Sequence, residues 1–259
     1  MNNVFSFRRF GLLMKKQFAE YYKAYLFGLG AMIGVMTLMV GYMCLITQEF
    51  LHFNDQWQVF IIGLPLAGGV FSCASFADMG KKNKAITELT LPASIMEKFI
   101  VRWLISYVFF QIVFLGVFFT VMYVMHGVFG GKGPATFIIP LFKTSKIAEV
   151  LFGYAVVNAL ALLGSIFFKR LHFIKTGSLV FVGFVILDMI NTKMVGSMLK
   201  SNVSRIRAIP FSHVSFNEGN GYYMVNVLDN SNMRYVVMLA IIAILLWTSA
   251  YYRLKEKQV

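Results

Sequence analysis

The sequence predicts an all-α membrane protein with six transmembrane helices, an N-terminal amphipathic elbow helix and both termini in the cytoplasm. Hydrophobic residues make up 58% of the 259 positions and charged residues only 14%, which is far from the balance of a soluble domain. The few charges are segregated, so long uncharged stretches remain between them. A helix of about 18 residues or more crosses a bilayer core of roughly 30 Å.

Six apolar stretches approach or exceed this length, and together they make residues 1–259 one transmembrane domain. In lipid, every backbone polar group must find its partner within the segment, so each stretch is predicted to be a helix. The predicted spans cover 24–47, 59–77, 99–125, 150–168, 176–192 and 235–252.

The distribution of Lys and Arg predicts the orientation of these spans. With the N-terminus inside, 16 of the 24 Lys and Arg residues fall on the inner side, as the positive-inside rule requires. The net charge of +13 follows from this topology, and no compact soluble domain is left to bind nucleic acid. The predicted location is the bacterial cytoplasmic (inner) membrane, with membrane lipid as the surrounding partner.

Residues 3–23 form the predicted elbow helix. Their apolar side chains recur at spacings of three and four, and the basic residues lie largely off that stripe, as in a helix at the inner membrane interface. Such a helix either anchors the chain or also contributes to a partner's docking surface. The elbow residues singled out are Arg8, Arg9, Phe10, Lys15 and Lys16.

The longest soluble piece is the predicted extracytoplasmic loop 193–234. The apolar spacing of its first part, up to residue 206, predicts an amphipathic helix. A turn sequence at 217–221, followed by the stretch 222–228, predicts a small β-hairpin.

Polar groups inside the spans are few. Asp188 is the single carboxylate in a span, and Asn158 is predicted to lie at nearly the same depth in the neighbouring span, so we expect a hydrogen bond between them. Asp188 then serves as a structural clasp or lines a substrate or proton path; a location at the outer interface is the third hypothesis. Gly30 and Gly34 form a small-residue pair that suits helix packing within the subunit or in a dimer. The four His residues show no metal-ligand spacing, so no metal site is expected.

A charged connection joins the second and third spans. Lys84 and Glu88 have the i, i+4 spacing of a short exposed helix. Pro92 then interrupts the chain, and Ser94 with Glu97 forms a capping box that starts the third span near residue 95. One hypothesis is an ordinary inner connection, and the other is a contact surface for a cytoplasmic partner.

The six-span layout, the basic N-terminal helix and the sequence Thr-Glu-Leu-Thr-Leu-Pro-Ala-Ser-Ile-Met-Glu-Lys at 87–98 resemble the permease subunit of ABC type-2 exporters. The resemblance implies that 85–89 is the core of a coupling helix that inserts into a separate cytoplasmic ATPase subunit. It also implies a second permease copy or homologue, with ATP and Mg on the partner ATPase and no cofactor on this chain. The implied coupling residues are Lys81, Lys82, Lys84, Ala85, Ile86, Glu88, Leu89, Pro92, Ser94 and Glu97.

Two other classes of protein stay open at this point. A membrane scaffold, sensor or immunity component would need the spans but no ATPase. An intramembrane enzyme would need paired polar groups at one depth, and Asp188 has no acidic or His partner at its predicted depth. No catalytic residues are therefore assigned to this chain.

Overall fold

Six long helices and one small sheet make up the chain, in a computed structural model that describes residues 5–75, 93–130, 146–168, 172–198, 203–208, 213–218, 221–226 and 232–256. The helices are α1 (Phe7–Thr47), α2 (Phe53–Ser75), α3 (Ile95–Phe129), α4 (Lys146–Phe167), α5 (His172–Met198) and α6 (Asn232–Glu256). The strands are β1 (Val203–Ala208), β2 (His213–Glu218) and β3 (Gly221–Asn226). All six helices are long and apolar enough to cross a membrane, which confirms the prediction of six candidate spans.

The first helix differs from its prediction. The elbow helix and the first span are one continuous helix, α1, whose 41 residues extend over about 60 Å. It runs parallel to α3: Arg9 bonds Glu97 near the start of both helices, and Gly41 lies beside Met125 near their other ends. No proline or turn interrupts the stretch at the predicted boundary, so the helix continues through it. The location of its first part at the inner membrane interface stays a prediction.

Two hydrophobic clusters hold the bundle together. The larger one joins α1, α2 and α3, with Val40, Leu64 and Phe118 fully buried at its centre. The smaller one joins α3, α4 and α6 at the end of the bundle where α3 begins, through Phe99, Ile166 and other residues. The helix α4 contacts α2, α5 and α6 and is the central element on this side.

A π-helical turn interrupts α3. The helix is α-helical over Ile95–Trp103, π-helical over Leu104–Phe109 and α-helical again over Phe110–Phe129. A π turn shifts the hydrogen-bond register by one residue and is common at functional positions in helices. This turn faces α2 and α4, as described below.

The segment after α5 is a sheet where a helix was expected. The predicted amphipathic helix is wrong from residue 203 onward, because Val203–Ala208 is the strand β1, paired antiparallel with β2. The predicted hairpin is confirmed by the antiparallel pair β2–β3, in which Glu218 faces Gly221 across a two-residue connection. The sheet lies at the opposite end of the bundle from the start of α3. Only its β2–β3 hairpin was predicted, so the all-α fold class is incomplete.

Candidate functional site

Most of the predicted coupling residues lie outside the described part of the chain. The last two, Ser94 and Glu97, lie inside it. Ser94 and Glu97 are both buried, and Glu97 is fully inaccessible. The residues outside the described ranges are Lys81, Lys82, Lys84, Ala85, Ile86, Glu88, Leu89 and Pro92.

Ser94 and Glu97 form the predicted capping box. The Ser94 hydroxyl oxygen accepts a hydrogen bond from the Glu97 backbone N–H at 3.1 Å, and one Glu97 carboxylate oxygen accepts from the Ser94 N–H at 2.9 Å. Two backbone donors at the start of α3 are thereby satisfied, so the helix begins directly after Ser94. The predicted start of the third span near residue 95 is confirmed.

The second oxygen of the same carboxylate holds the start of α1. Glu97 Oε1 accepts from the Ser6 backbone N–H at 2.7 Å and from Arg9 Nη2 at 3.1 Å. Ser6 is the residue that precedes α1, so one buried carboxylate lies at the N-termini of two helices, where their dipoles favour a negative charge. We call Ser6, Arg9, Ser94 and Glu97 the carboxylate clamp.

The clamp joins two regions that the sequence assigned to different elements. Arg9 belongs to the predicted elbow, and Glu97 ends the predicted coupling connection. Two further cations, Lys98 and Arg102, follow Glu97 on α3 and are also buried. A dense group of charges therefore lies inside the protein where α1 and α3 begin.

The other elbow residues do not share this environment. Arg8 and Lys15 are exposed, and Phe10 is half-buried. Lys16 lies 3.8 Å from Glu20 one helical turn away, in a partly exposed ion pair. Of the two adjacent arginines, only Arg9 is directed into the protein.

A second polar cluster lies in the interior of the bundle, centred on Asn158. Its side-chain amide donates to Ser72 Oγ at 2.7 Å and to Ser106 Oγ at 3.1 Å, and its Oδ1 accepts from Trp247 Nε1 at 3.2 Å. These residues belong to α2, α3, α4 and α6, so one amide connects four helices. Because these polar groups are buried among apolar helices, the loss of any one of these hydrogen bonds would leave a donor or acceptor unsatisfied, which costs free energy.

The predicted hydrogen bond between Asp188 and Asn158 is wrong. Both hydrogens of the Asn158 amide are donated to Ser72 and Ser106, and its oxygen accepts from Trp247, so no donor is left for the Asp188 carboxylate. Asp188 is half-buried on α5, a helix that is apolar and largely exposed in the isolated chain. The close contact between Gly164 and Thr176 shows why the bond does not form. Asn158 lies six residues from this contact along α4, whereas Asp188 lies twelve residues from it along α5, so the two side chains are at different levels of the bundle.

The π turn of α3 is tied to this cluster. Tyr154 Oη donates to the backbone carbonyl of Ser106 at 2.6 Å, within the π turn. The Tyr154 ring lies directly on Gly68 of α2, where any side chain would collide with it. We call Ser72, Ser106, Tyr154, Asn158 and Trp247 the polar cluster.

The small-residue pair on α1 faces open space within the described part of the chain. A side-chain carbon placed at Gly30 or Gly34 would meet nothing within 4 Å among the described residues. Packing within the subunit, one of the two hypotheses for this pair, therefore finds no partner among the described residues. Packing in a dimer stays a prediction.

The side chains of the carboxylate clamp and the polar cluster hold helices together through hydrogen bonds. In the described ranges, no three His, Cys, Asp or Glu side chains are close enough to hold a metal ion. Within the clamp and the polar cluster, the hydrogen bonds described above join one helix to another and leave no nucleophile beside a base. Both sites are therefore suited to fixing helices relative to one another.

Sequence reasoning missed the residues that lie far apart in the chain. Ser6 and Glu97 are 91 positions apart, and no local pattern connects them. The members of the polar cluster had a usable signal, since Ser72, Ser106 and Asn158 are polar residues inside predicted spans. Their mutual contact required the packing of α2, α3 and α4.

Comparison with known proteins adds no assignment. No protein-family model matches the chain, and neither a curated protein nor a solved structure gives a significant match.

Proposed function

We propose that this chain is the membrane-spanning permease subunit of an ATP-driven exporter that works with separate cytoplasmic ATPase subunits. In this proposal both termini are cytoplasmic, the membrane is the bacterial inner membrane, and the permease acts as a dimer. The ATPase docks on the connection between α2 and α3, with 85–89 as the coupling helix.

The observation that supports the proposal most is the carboxylate clamp. A coupling element must transmit the movement of the ATPase to helices in the membrane, so its end must be firmly attached to them. The connection enters α3 at Ser94, and three residues later Glu97 binds the start of α1 through Ser6 and Arg9. A displacement of this connection would thus act on α1 and α3 together.

The polar cluster would transmit a movement of α3 to further helices. About 15 Å along α3 from the clamp, the π turn meets Tyr154 and Asn158 of α4. Asn158 also reaches α2 and α6, so movement of α3 at this depth would be shared by four helices. π turns inside helices are frequent at functional sites, and this one lies where α3 meets the polar cluster. In the proposal, it is the point at which α3 alternates between two packings.

The experiment is co-purification of the tagged chain with an ATPase from its native membrane, in mild detergent. The test variant carries Ile86→Asp and Leu89→Asp, which place two carboxylates on the apolar face of the predicted coupling helix. The matched control carries Thr87→Asp and Thr90→Asp, with the same added charge and the same spacing on a different face.

The proposal predicts that wild type and control retain a chain with ATP-hydrolysing activity and that the test variant loses it. Folding of each variant is checked by its elution as a single detergent-solubilised peak. If the folded wild type carries no ATPase in several detergents, the exporter proposal is refuted and a membrane scaffold or sensor becomes the better hypothesis.

A further inference from the structure

The small sheet at the far end of the bundle has two edges of different character. The strand order is β1-β2-β3, so β1 and β3 are the edge strands. β1 lies against the end of α5, where Ile206 packs beside Gly196. Among the described residues, β3 pairs with β2 alone.

The β3 strand lacks the devices that normally protect a sheet edge. Natural edge strands carry charges, prolines or bulges that prevent pairing with another strand. β1 has Arg205 and Arg207, as well as an irregularity in its pairing with β2. β3 reads Gly-Tyr-Tyr-Met-Val-Asn, without a charge or a proline, and Tyr223, Met224 and Val225 are each 52% exposed.

We propose that the edge of β3 away from β2, which no described residue pairs with, pairs with β3 of a second copy of this chain, so that two sheets become one continuous sheet across a dimer. Two copies in one membrane share their orientation and are related by a two-fold axis along the bilayer normal. A strand that crosses this axis at a right angle runs antiparallel to its own copy, and antiparallel neighbours pair through backbone hydrogen bonds perpendicular to the strands.

The composition of β3 favours pairing with β3 of a second copy over pairing with another strand. Self-pairing of an uncharged strand brings no like charges together, whereas self-pairing of β1 would oppose arginines. With the two-fold axis at Met224, reversal of the strand also sets an aromatic residue opposite an aliphatic one, because Tyr223 then faces Val225 on the same side of the sheet. Such cross-strand pairs are favourable. The inference goes beyond the proposed function, which requires a dimer but not this contact.

The test is cysteine cross-linking in membranes that contain the chain but no ATPase partner, so its outcome is independent of the exporter proposal. Cys44 and Cys73 are buried and unpaired and are first replaced by Ala. Single Cys residues then replace Tyr223, Met224 or Val225, and an oxidant is added. Matched controls place the single Cys at Arg205 or Arg207 of β1.

We expect a disulfide-linked dimer at one or two of the three β3 positions and none at the β1 positions. A Met224→Lys change beside a Cys at 223 should lower the cross-linked fraction roughly tenfold, because two lysines then lie close together across the pair. A double variant with Cys at 215 and 224, which are register partners in β2 and β3, should close within one chain and so reports that the hairpin is intact.

The inference is overturned if the hairpin closes in the double variant but no β3 position yields a dimer. Equal cross-linking at β1 and β3 would also overturn it, because it would indicate random collision. Capture of a different protein at β3, without self-linking, would show that the edge serves another partner.

Discussion

Replacing Glu97 by Gln should destabilise the protein at the carboxylate clamp. One carboxylate oxygen accepts from Ser6 and Arg9 and the other accepts from Ser94, whereas an amide has only one oxygen. On one side, a buried N–H would therefore face the NH₂ group of Gln and lose its acceptor. A buried donor without a partner costs about 1–3 kcal/mol. The side chain of Arg9 is 33% exposed, so loss of its ion pair adds only about 0.5 kcal/mol.

The expected loss of stability is about 2 kcal/mol, which corresponds to a fall in Tm of about 4–8 °C for a chain of this size. The measurement is thermal unfolding in detergent, followed by the loss of the monodisperse elution peak. Hydrogen exchange of residues 6–20 should increase as well, because the start of α1 loses its attachment to α3.

The matched control is Glu20→Gln, which removes an exposed carboxylate from α1, the helix that Glu97 holds. Glu20 lies 3.8 Å from Lys16, an ion pair of about 0.3–0.5 kcal/mol, so Tm should change by about 1 °C. Equal Tm values for the two variants, or unchanged exchange at the start of α1 in Glu97→Gln, would refute the assignment of the clamp.

Three further predictions concern the polar cluster, all measured by the same unfolding assay. Gly68→Ala should cost about 1–3 kcal/mol because the new methyl group collides with the Tyr154 ring, whereas Gly116→Ala, with open space around it, should be neutral or slightly stabilising. Tyr154→Phe should cost about 1 kcal/mol through loss of the hydrogen bond to the π turn; an unchanged Tm would mean that this bond is not formed. Asn158→Leu should lower the free energy of unfolding by about 2 kcal/mol, and Asp188→Asn should lower it by less than about 0.5 kcal/mol. A larger loss for Asp188→Asn than for Asn158→Leu would show that Asp188 is the central polar residue.

The membrane helices could be predicted because their information is local. Uncharged length determines each span, and the Ser94–Glu97 capping box determines where α3 begins. The boundary between elbow and first span was not predictable in the same way. The change from basic to apolar composition near residue 23 suggested two elements, but composition does not break a helix without a residue such as proline.

The sheet shows where local pattern is insufficient. Val203 and Ile206 are three positions apart, a spacing that is typical of one face of a helix. Both residues are also β-branched and therefore suit a strand equally well. Pairing with β2 stabilises the strand over the helix, and β2 lies later in the chain, so the local sequence does not contain this information. The hairpin itself was predictable because its Gly-Asn-Gly turn is local.

The two candidate sites depend on packing and were only partly accessible from sequence. Glu97 was identified as a cap, but the attachment of its second oxygen to Ser6 and Arg9 required α1 to lie along α3. Asn158 was identified as an intramembrane polar residue, but its partners depended on which way α4 faces. In both cases the sequence indicated the chemistry, and the tertiary contacts determined the partner.

The most direct test of the central claim is photo-cross-linking from position 89 in the native membrane. A photoreactive residue at 89 should capture one chain that carries nucleotide-binding motifs and hydrolyses ATP, and the same residue at position 223, at the opposite end of the bundle, should not capture it. Capture of no ATP-hydrolysing chain from position 89, or equal capture from both positions, would contradict the account of an ATPase-coupled permease.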